Sequence, residues 1–409
     1  MKKYWLLLEA YTFVWINDSN ALFYNALSGK HCIVPLCKEV DLIVRELLKE
    51  ENCYCIELTG KDIQRPNVSL FIETLRNDFL GDLYPQELCP QKPLVVSPCV
   101  SINEDFSNTI ENSNNLELFG QKVLNNLDTV TIQLTGKCES QCQFCNTIYK
   151  QTLWCSKKDK ELDFEHLQTM LRQIEAAHIP NVNFIGGNLF KYSHIEELLQ
   201  SLQSYSFGKT FYLNLTNIKD YNYFQHIGKS TKIRLCVNKD FQEKDILESK
   251  SINIAEVEYI FIVTSTTDFE FVNTIIDRHQ LNASIVPFYI GSNIEFFEKF
   301  VYMDIDDING LYNDKKDIFA NQRLNTNFFG NIFIASDGLV YTNANDLPIG
   351  NIRDKLSKLI YHEMKDGKSW FLTRDKLSPC KDCLFRYLCP SPSNYELVIG
   401  KPNLCHIKP

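Results

Sequence analysis

The segment that decides the reading is Gln133-Leu134-Thr135-Gly136-Lys137-Cys138-Glu139-Ser140-Gln141-Cys142-Gln143-Phe144-Cys145. Three cysteines stand in the spacing C-x3-C-x2-C, directly after the strand-like run Val130–Leu134. Soft thiolates favour an iron–sulfur cluster or zinc over hard cations. Three thiolates can hold three irons of a cubane and leave the fourth open to a small molecule. A structural zinc site needs a fourth ligand nearby, and Cys155 is the one on offer.

The sequence around this segment alternates between strand and helix. Strand-like runs are Val130–Leu134, Val182–Ile185, Phe211–Leu215, Ile233–Val237, Val257–Val263 and Ser284–Pro287. Helical spacing of apolar residues fills the intervals, as in Phe164–Ala177, Ile195–Leu202 and Phe269–Arg278. Six β-α units predict a parallel sheet covered by helices. Because every chemically suggestive residue falls just after a strand, a partial barrel is expected rather than an open sheet.

On either side the pattern changes. Residues 1–100 read as short strands followed by helices: Tyr11–Asn17, Ala21–Asn25 and His31–Pro35 as strands, Val40–Leu48 and Val68–Leu80 as helices. Met1–Glu9 imitates a signal peptide, but Glu9 cuts its apolar stretch short and no small-residue cleavage site follows, so a strand is expected there. The Asn-rich stretch within 101–127 reads as a linker, 128–305 as the barrel and 306–409 as a cysteine-rich C-terminal domain. That last region opens with a hairpin signal, Ile332–Tyr341 with Asp337-Gly338 at its turn, followed by a helix near Ile352–Met364.

Composition narrows the class. The chain has 409 residues, a net charge of −9 and 44% hydrophobic residues, which suits a soluble protein of several domains. The acidic balance argues against a nucleic-acid partner, and no apolar run is long enough for a membrane span. A cytoplasmic location is expected. Fifteen cysteines without an export signal therefore do not predict a disulfide framework. Cys32, Cys37, Cys53, Cys55, Cys89 and Cys99 read as small hydrophobes, scattered through strand and loop contexts. The tail is different: Cys380, Cys383 and Cys389 are spaced C-x2-C-x5-C, with Cys405 sixteen residues on, which supplies four soft ligands for zinc or iron.

With the strand before it and Phe144 before its last cysteine, the C-x3-C-x2-C loop resembles the radical S-adenosylmethionine (SAM) superfamily. The resemblance extends over the six-unit segment. Gly186-Gly187-Asn188 after the second strand is similar to the family's glycine pair, which approaches the cofactor's amino group, although Asn188 stands where the family has an acid. Thr216 and Asn217 after the third strand are similar to its Thr-Asn-Gly step, with Ile218 in place of glycine. Cys236 or Asn238 lies where a cofactor-contacting serine is common. The resemblance implies a four-iron cluster on Cys138, Cys142 and Cys145 that binds SAM and cleaves it to a 5′-deoxyadenosyl radical. An electron donor such as flavodoxin or ferredoxin follows from that chemistry.

The tail resembles the SPASM domain of radical enzymes that act on peptides. Where the family has cysteines flanking the hairpin, Asn327-Phe328-Phe329 precedes it and Asn343 follows it, without cysteine, and a further cysteine position is Ser393. In the family those positions serve an inner auxiliary cluster, so the resemblance implies that one outer cluster remains, on Cys380, Cys383, Cys389 and Cys405. The N-terminal region resembles the winged-helix element that binds the leader of a ribosomally made precursor peptide, with His31–Pro35 as the docking strand and Val68–Leu80 as the facing helix. Together these imply a peptide maturase forming a cross-link, a thioether or an epimer, for which Cys155 and Cys236 are candidate hydrogen donors by location. The alternative is a non-catalytic peptide-binding partner on a degenerate scaffold of this kind.

Overall fold

A computed structural model describes residues 2–95, 123–139, 145, 147–152, 160–217, 231–238, 241–250 and 256–407. The expected strands all form. They are β1 (Lys3–Leu8), β2 (Thr12–Ile16), β3 (Asn20–Asn25) and β4 (His31–Pro35) near the N-terminus. Two further strands, β5 (Cys55–Thr59) and β6 (Gly81–Pro85), follow the helices Lys38–Leu47 and Pro66–Asn77 and were not legible from the sequence. This corrects the simple strands-then-helices reading. β5, β1 and β6 make one antiparallel sheet, and β2, β3 and β4 make a second.

The second small sheet is covered on both faces, and strand alternation explains how. Ala21, Phe23 and Val34 point into a core with Val44, Phe71 and Leu75 of the two helices. The residues between them, Phe13, Trp15, Leu22 and Tyr24, point the opposite way and pack against Ile318, Leu384, Phe385 and Leu388 of the C-terminal region. Burying each such ring contributes roughly 2–3 kcal/mol. The Tyr24 hydroxyl donates to the Asn313 carbonyl at 3.1 Å and accepts from the Asn313 N–H at 2.9 Å. Trp15 and Tyr387 lie with ring centroids 5.8 Å apart.

The main sheet is built on six parallel strands in unbroken chain order: β7 (Thr129–Gln133), β8 (Asn181–Ile185), β9 (Gly208–Asn214), β10 (Thr231–Val237), β11 (Glu256–Val263) and β12 (Ala283–Pro287). A doubly wound sheet reverses its order at a switch point; within these six strands there is none. One face carries Val130, Ile132, Phe184, Phe211, Leu235 and Phe261 into a core with the helices Phe164–Ala176, Ile195–Leu202 and Thr266–His279. Asp163 caps the first of these through the His166 N–H, and Ser265 caps the third through the Asp268 N–H.

The hairpin near residue 335 forms and also joins the main sheet. Its first strand, β13 (Asn331–Ile334), pairs in parallel with β7, and β14 (Leu339–Tyr341) and β15 (Gly350–Asn351) continue the sheet to nine strands. Gly338 takes φ +83° at the Asp-Gly turn, as the hairpin signal requires. The helix forecast near Ile352–Met364 runs from Leu356 to Asp366. The tail then crosses to the other side of the sheet, where the Tyr395 hydroxyl donates to the Pro287 carbonyl at 2.7 Å, at the end of β12. Among the described residues no helix is long and apolar enough to cross a membrane.

Candidate active site and cysteine centres

The cysteine loop starts where β7 ends and is pinned at its base. The Gly187 N–H donates to the Thr135 carbonyl at 3.0 Å, and the Asn188 N–H to the Lys137 carbonyl at 2.8 Å. Lys137 pairs with Glu161 at 2.6 Å, and Gly136 N–H donates to Lys160. The loop after β8 therefore lies directly on the cysteine loop, and the glycine pair is what lets it. A Cβ at Gly187 would stand 2.5 Å from the Lys137 carbonyl oxygen and 2.8 Å from the Cys138 Cβ. One at Gly186 would stand 2.8 Å from the Thr135 carbonyl oxygen. Close approach of two protein segments accounts for both glycines.

Cys138 is half-buried and Cys145 is buried, and no disulfide joins any of the described cysteines. Cys142, Phe144 and Cys155 lie outside the described residues. Asn188 is buried and its side-chain carbonyl accepts from the Phe190 N–H at 3.1 Å, capping the short turn Leu189–Lys191. Thr216 donates from its hydroxyl and its N–H to Asn214 Oδ1, at 2.8 and 3.1 Å. Asn217 closes the same short turn. Cys236 is paired in register with Asn214 and Ile260 and packs with Ile148 and Phe288. Burial pushes its thiol well above the ordinary value. Cys138, Gly187, Thr216 and Cys236 thus all lie at the carboxyl ends of neighbouring strands, where a parallel sheet places its chemistry.

The face of the sheet opposite the helices holds polar residues that the apolar reading of these strands passed over. Arg234 donates to Glu258 at 2.8 Å and to the Tyr212 hydroxyl, and Ser284 donates to the other oxygen of Glu258. Asn183 donates to Thr131 at 3.1 Å. Charges in mid-strand at Arg234 and Glu258 are the signal for such a face, because a parallel strand covered on both sides reads as continuously apolar.

The short helix Ile148–Gln151 lies over this face. Gln151 holds the exit of β12 with two bonds, donating to the Tyr289 carbonyl and accepting from the Tyr289 N–H, both at 2.8 Å. Beneath it is a cavity of about 370 Å³. Asn327 and Phe328 of the stretch before the hairpin, Asn343 after it and Ser393 of the tail line it. Amide bonds brace its wall: Asn343 donates to Asn394 at 2.8 Å, and Asn345 donates to the Lys150 carbonyl at 2.8 Å.

The four tail cysteines come into electrostatic reach of one another around a buried arginine. Burial raises the Cys380, Cys383 and Cys389 thiols, the last to about 12, while Arg374 pulls Cys380 and Cys389 back down. The Arg374 guanidinium donates to the carbonyls of Pro390 and Pro402, at 2.8 and 3.0 Å, and to Glu396 at 2.7 Å. A donor set of four partly buried thiols beside a fixed cation suits a soft metal or an anionic cluster. Among the described residues no three His, Cys, Asp or Glu side chains are drawn together as metal ligands are. By contrast Cys32, read as a small hydrophobe, has its thiol pushed up to about 12 by burial.

No protein-family model matches the chain. No curated protein matches it in sequence. Solved structures to which it is similar include Streptococcus suis SuiB bound to precursor peptide SuiA, at 12% identity over 98% of each chain with a TM-score of 0.43. SuiB bound to S-adenosylmethionine is similar at 11% identity over 97% of each chain, TM-score 0.43. BtrN in complex with AdoMet and 2-DOIA is similar at 13% identity over 63% of this chain and 92% of that one, TM-score 0.35.

Proposed function

We propose that the chain is a radical SAM enzyme that modifies a ribosomally made precursor peptide. The observation that carries this reading is the placement of C-x3-C-x2-C directly after the first of six sequential parallel strands, with Cys138 packed against the Gly186-Gly187 loop. In this reading residues 128–305 are a partial barrel, 101–127 a linker and 306–409 a SPASM-like domain. Cys138, Cys142 and Cys145 hold a four-iron cluster. Phe144, Gly186, Gly187, Asn188, Thr216, Asn217 and Cys236 surround its cofactor. The cluster and SAM together supply reductive cleavage of a sulfonium bond to a carbon radical. This chain's own residues anchor the base of the loop, through the Lys137–Glu161 pair and the main-chain bonds to Thr135 and Lys137, and keep water away by laying the Ile148–Gln151 helix over the polar face.

Residues 1–100 are the recognition domain in this proposal. β4 pairs on one side with β3, and the helix Pro66–Asn77 runs beside it. Ile33 of β4 is exposed. An extended leader can add to such an edge by main-chain bonds. Cys380, Cys383, Cys389 and Cys405 hold an auxiliary four-iron cluster, zinc being the other soft metal that four thiols suit, and a flavodoxin or ferredoxin supplies the electron.

The test is anaerobic reconstitution, reduction, and measurement of 5′-deoxyadenosine from SAM. Turnover that is abolished by C142A supports the enzyme. A second reading, a non-catalytic peptide-binding partner, is favoured by one observation: Asn188 is neutral and its carbonyl oxygen is already engaged by the Phe190 N–H. Peptide binding without any 5′-deoxyadenosine, with or without precursor, selects that reading.

A further inference from the structure

The sheet of β2, β3 and β4 touches two functional parts of the molecule at once. Among the described residues β4 pairs only with β3, which leaves the edge that the proposal above gives to the leader. One face of the same sheet rests on the tail loop that bears Cys383 and Cys389. Trp15, Leu22 and Tyr24 meet Leu384, Phe385 and Leu388 there, and both cysteines pack against that cluster. The contact is closed to solvent, with Leu22 0%, Tyr24 2% and Leu388 3% exposed.

A chain of direct contacts runs from that edge to the loop. His31 of β4 is paired in register with Tyr24 of β3, and their rings stack with centroids 6.5 Å apart. The Tyr24 hydroxyl bonds both main-chain groups of Asn313. The Asn313 side chain donates to the Leu388 carbonyl at 3.2 Å, one residue before Cys389. A second amide, that of Asn321, donates to the Tyr387 carbonyl at 3.1 Å. Close-packed interiors transmit displacements rather than absorb them. A soft metal or cluster held by Cys380, Cys383, Cys389 and Cys405 requires the loop in one conformation, and the free energy of such binding becomes ordering of the chain that supplies the ligands. The face beneath Leu22 and Tyr24 is part of what is ordered.

We propose that filling the tail cysteine centre orders the peptide-docking strand β4, with Tyr24 and Asn313 as the positioning residues that connect the two. The inference rests on the reading of β4 as the peptide edge and of the tail as a soft-metal centre, and not on SAM cleavage. Contiguous packed and hydrogen-bonded networks carry coupling of this kind. Linkage makes it reciprocal: a peptide docked on β4 raises the affinity of the tail for its metal by the same factor.

Hydrogen exchange over Asn20–Pro35, read by mass spectrometry on the full chain, tests this. Reduced, metal-free protein is compared with protein reconstituted with iron and sulfide and, in a separate sample, with protein given Zn2+ alone. Exchange in this segment is expected to slow about tenfold in at least one loaded sample. C380A, treated identically, should show no slowing. Y24F removes the hydroxyl that bonds Asn313, and N313A removes the amide that bonds Leu388; melting curves check that both fold. Each should bring the ratio of metal-free to loaded exchange rates to within about twofold of unity, while Leu384–Cys389 still gains protection on loading. A merely structural role would speed exchange in both metal states and leave that ratio at the parental value. No slowing in either loaded parent sample, equal slowing in C380A, or the parental ratio in both folded variants overturns the linkage. Formation of 5′-deoxyadenosine is assayed on the same reconstituted sample. Slowing without that product removes the enzyme reading alone, and the product without slowing removes the linkage alone.

Discussion

Arg374 and Glu396 form a buried ion pair in the tail, Nη2 to Oε1 at 2.7 Å, with their side chains 8% and 5% exposed. The arginine spends other donors on the Pro390 and Pro402 carbonyls, so one guanidinium joins the loop carrying Cys389 to the segment leading to Cys405. Removing one partner leaves the other charge buried and unpaired. R374A is expected to cost about 3–5 kcal/mol, and E396A a similar amount. R374M/E396M should cost clearly less than the sum of the single changes. A double-mutant cycle on the unfolding midpoints checks this; additive costs would show that the pair contributes no coupling.

The same cysteines give a metal prediction. Reconstituted protein should carry about eight irons as two cubanes. C380A should fall to about four irons while still forming 5′-deoxyadenosine, and C138A should also fall to about four irons but lose that product. Iron and zinc analysis together with product assay read the outcome. About four irons in the parent, unaffected by C380A, would remove the auxiliary cluster from the reading, and stoichiometric zinc would replace it.

Gly187 carries the contact between the two loops of the site. G187A would place a methyl 2.5 Å from the Lys137 carbonyl oxygen, with backbone on that side and no flexible side chain to yield. The Cys138 loop must shift, and a displacement of about 1 Å at a reacting centre costs on the order of a hundredfold in rate. SAM cleavage in G187A is expected to fall by at least that factor with the far-ultraviolet spectrum unchanged. A variant with near-parental turnover would show that the loop yields without disturbing the cysteines.

What the sequence made legible follows from which forces act locally. Each of the six parallel strands was readable because an apolar run bounded by turns is a short-range pattern, and β4 was readable to the residue. β5 and β6 were missed because their partner, β1, lies some fifty to eighty residues away in the chain. The pairing of β13 with β7 crosses about two hundred residues and left only a hairpin signal. At the site, Cys138 and Gly187 announced themselves by spacing. Arg374 did not, because its role is defined by two carbonyls and a carboxylate brought together by tail folding. The stretch Asn327–Phe329, Asn343 and Ser393 were marked only through a resemblance, and that Asn327, Asn343 and Ser393 share one cavity is a tertiary fact.

Glu363 supplies a pH dependence. It is 2% exposed, and burial lifts its carboxyl from 4.5 to about 7, against the lowering effect of bonds from the Trp370 N–H and the Thr342 hydroxyl and with a further rise from nearby Asp346. Between those two values the folded chain holds a proton that the unfolded chain has lost. The unfolded state therefore binds fewer protons, and stability falls as pH rises from about 4.5 to about 7 and is level above. The gap corresponds to about 3 kcal/mol at pH 8. E363Q keeps an acceptor for Trp370 and removes the titration. It should melt a few degrees above the parent at pH 8 and together with it near pH 4.5. Thermal melts at both values decide the matter, and a constant offset at the two pH values would mean that Glu363 ionises at its ordinary value in the fold.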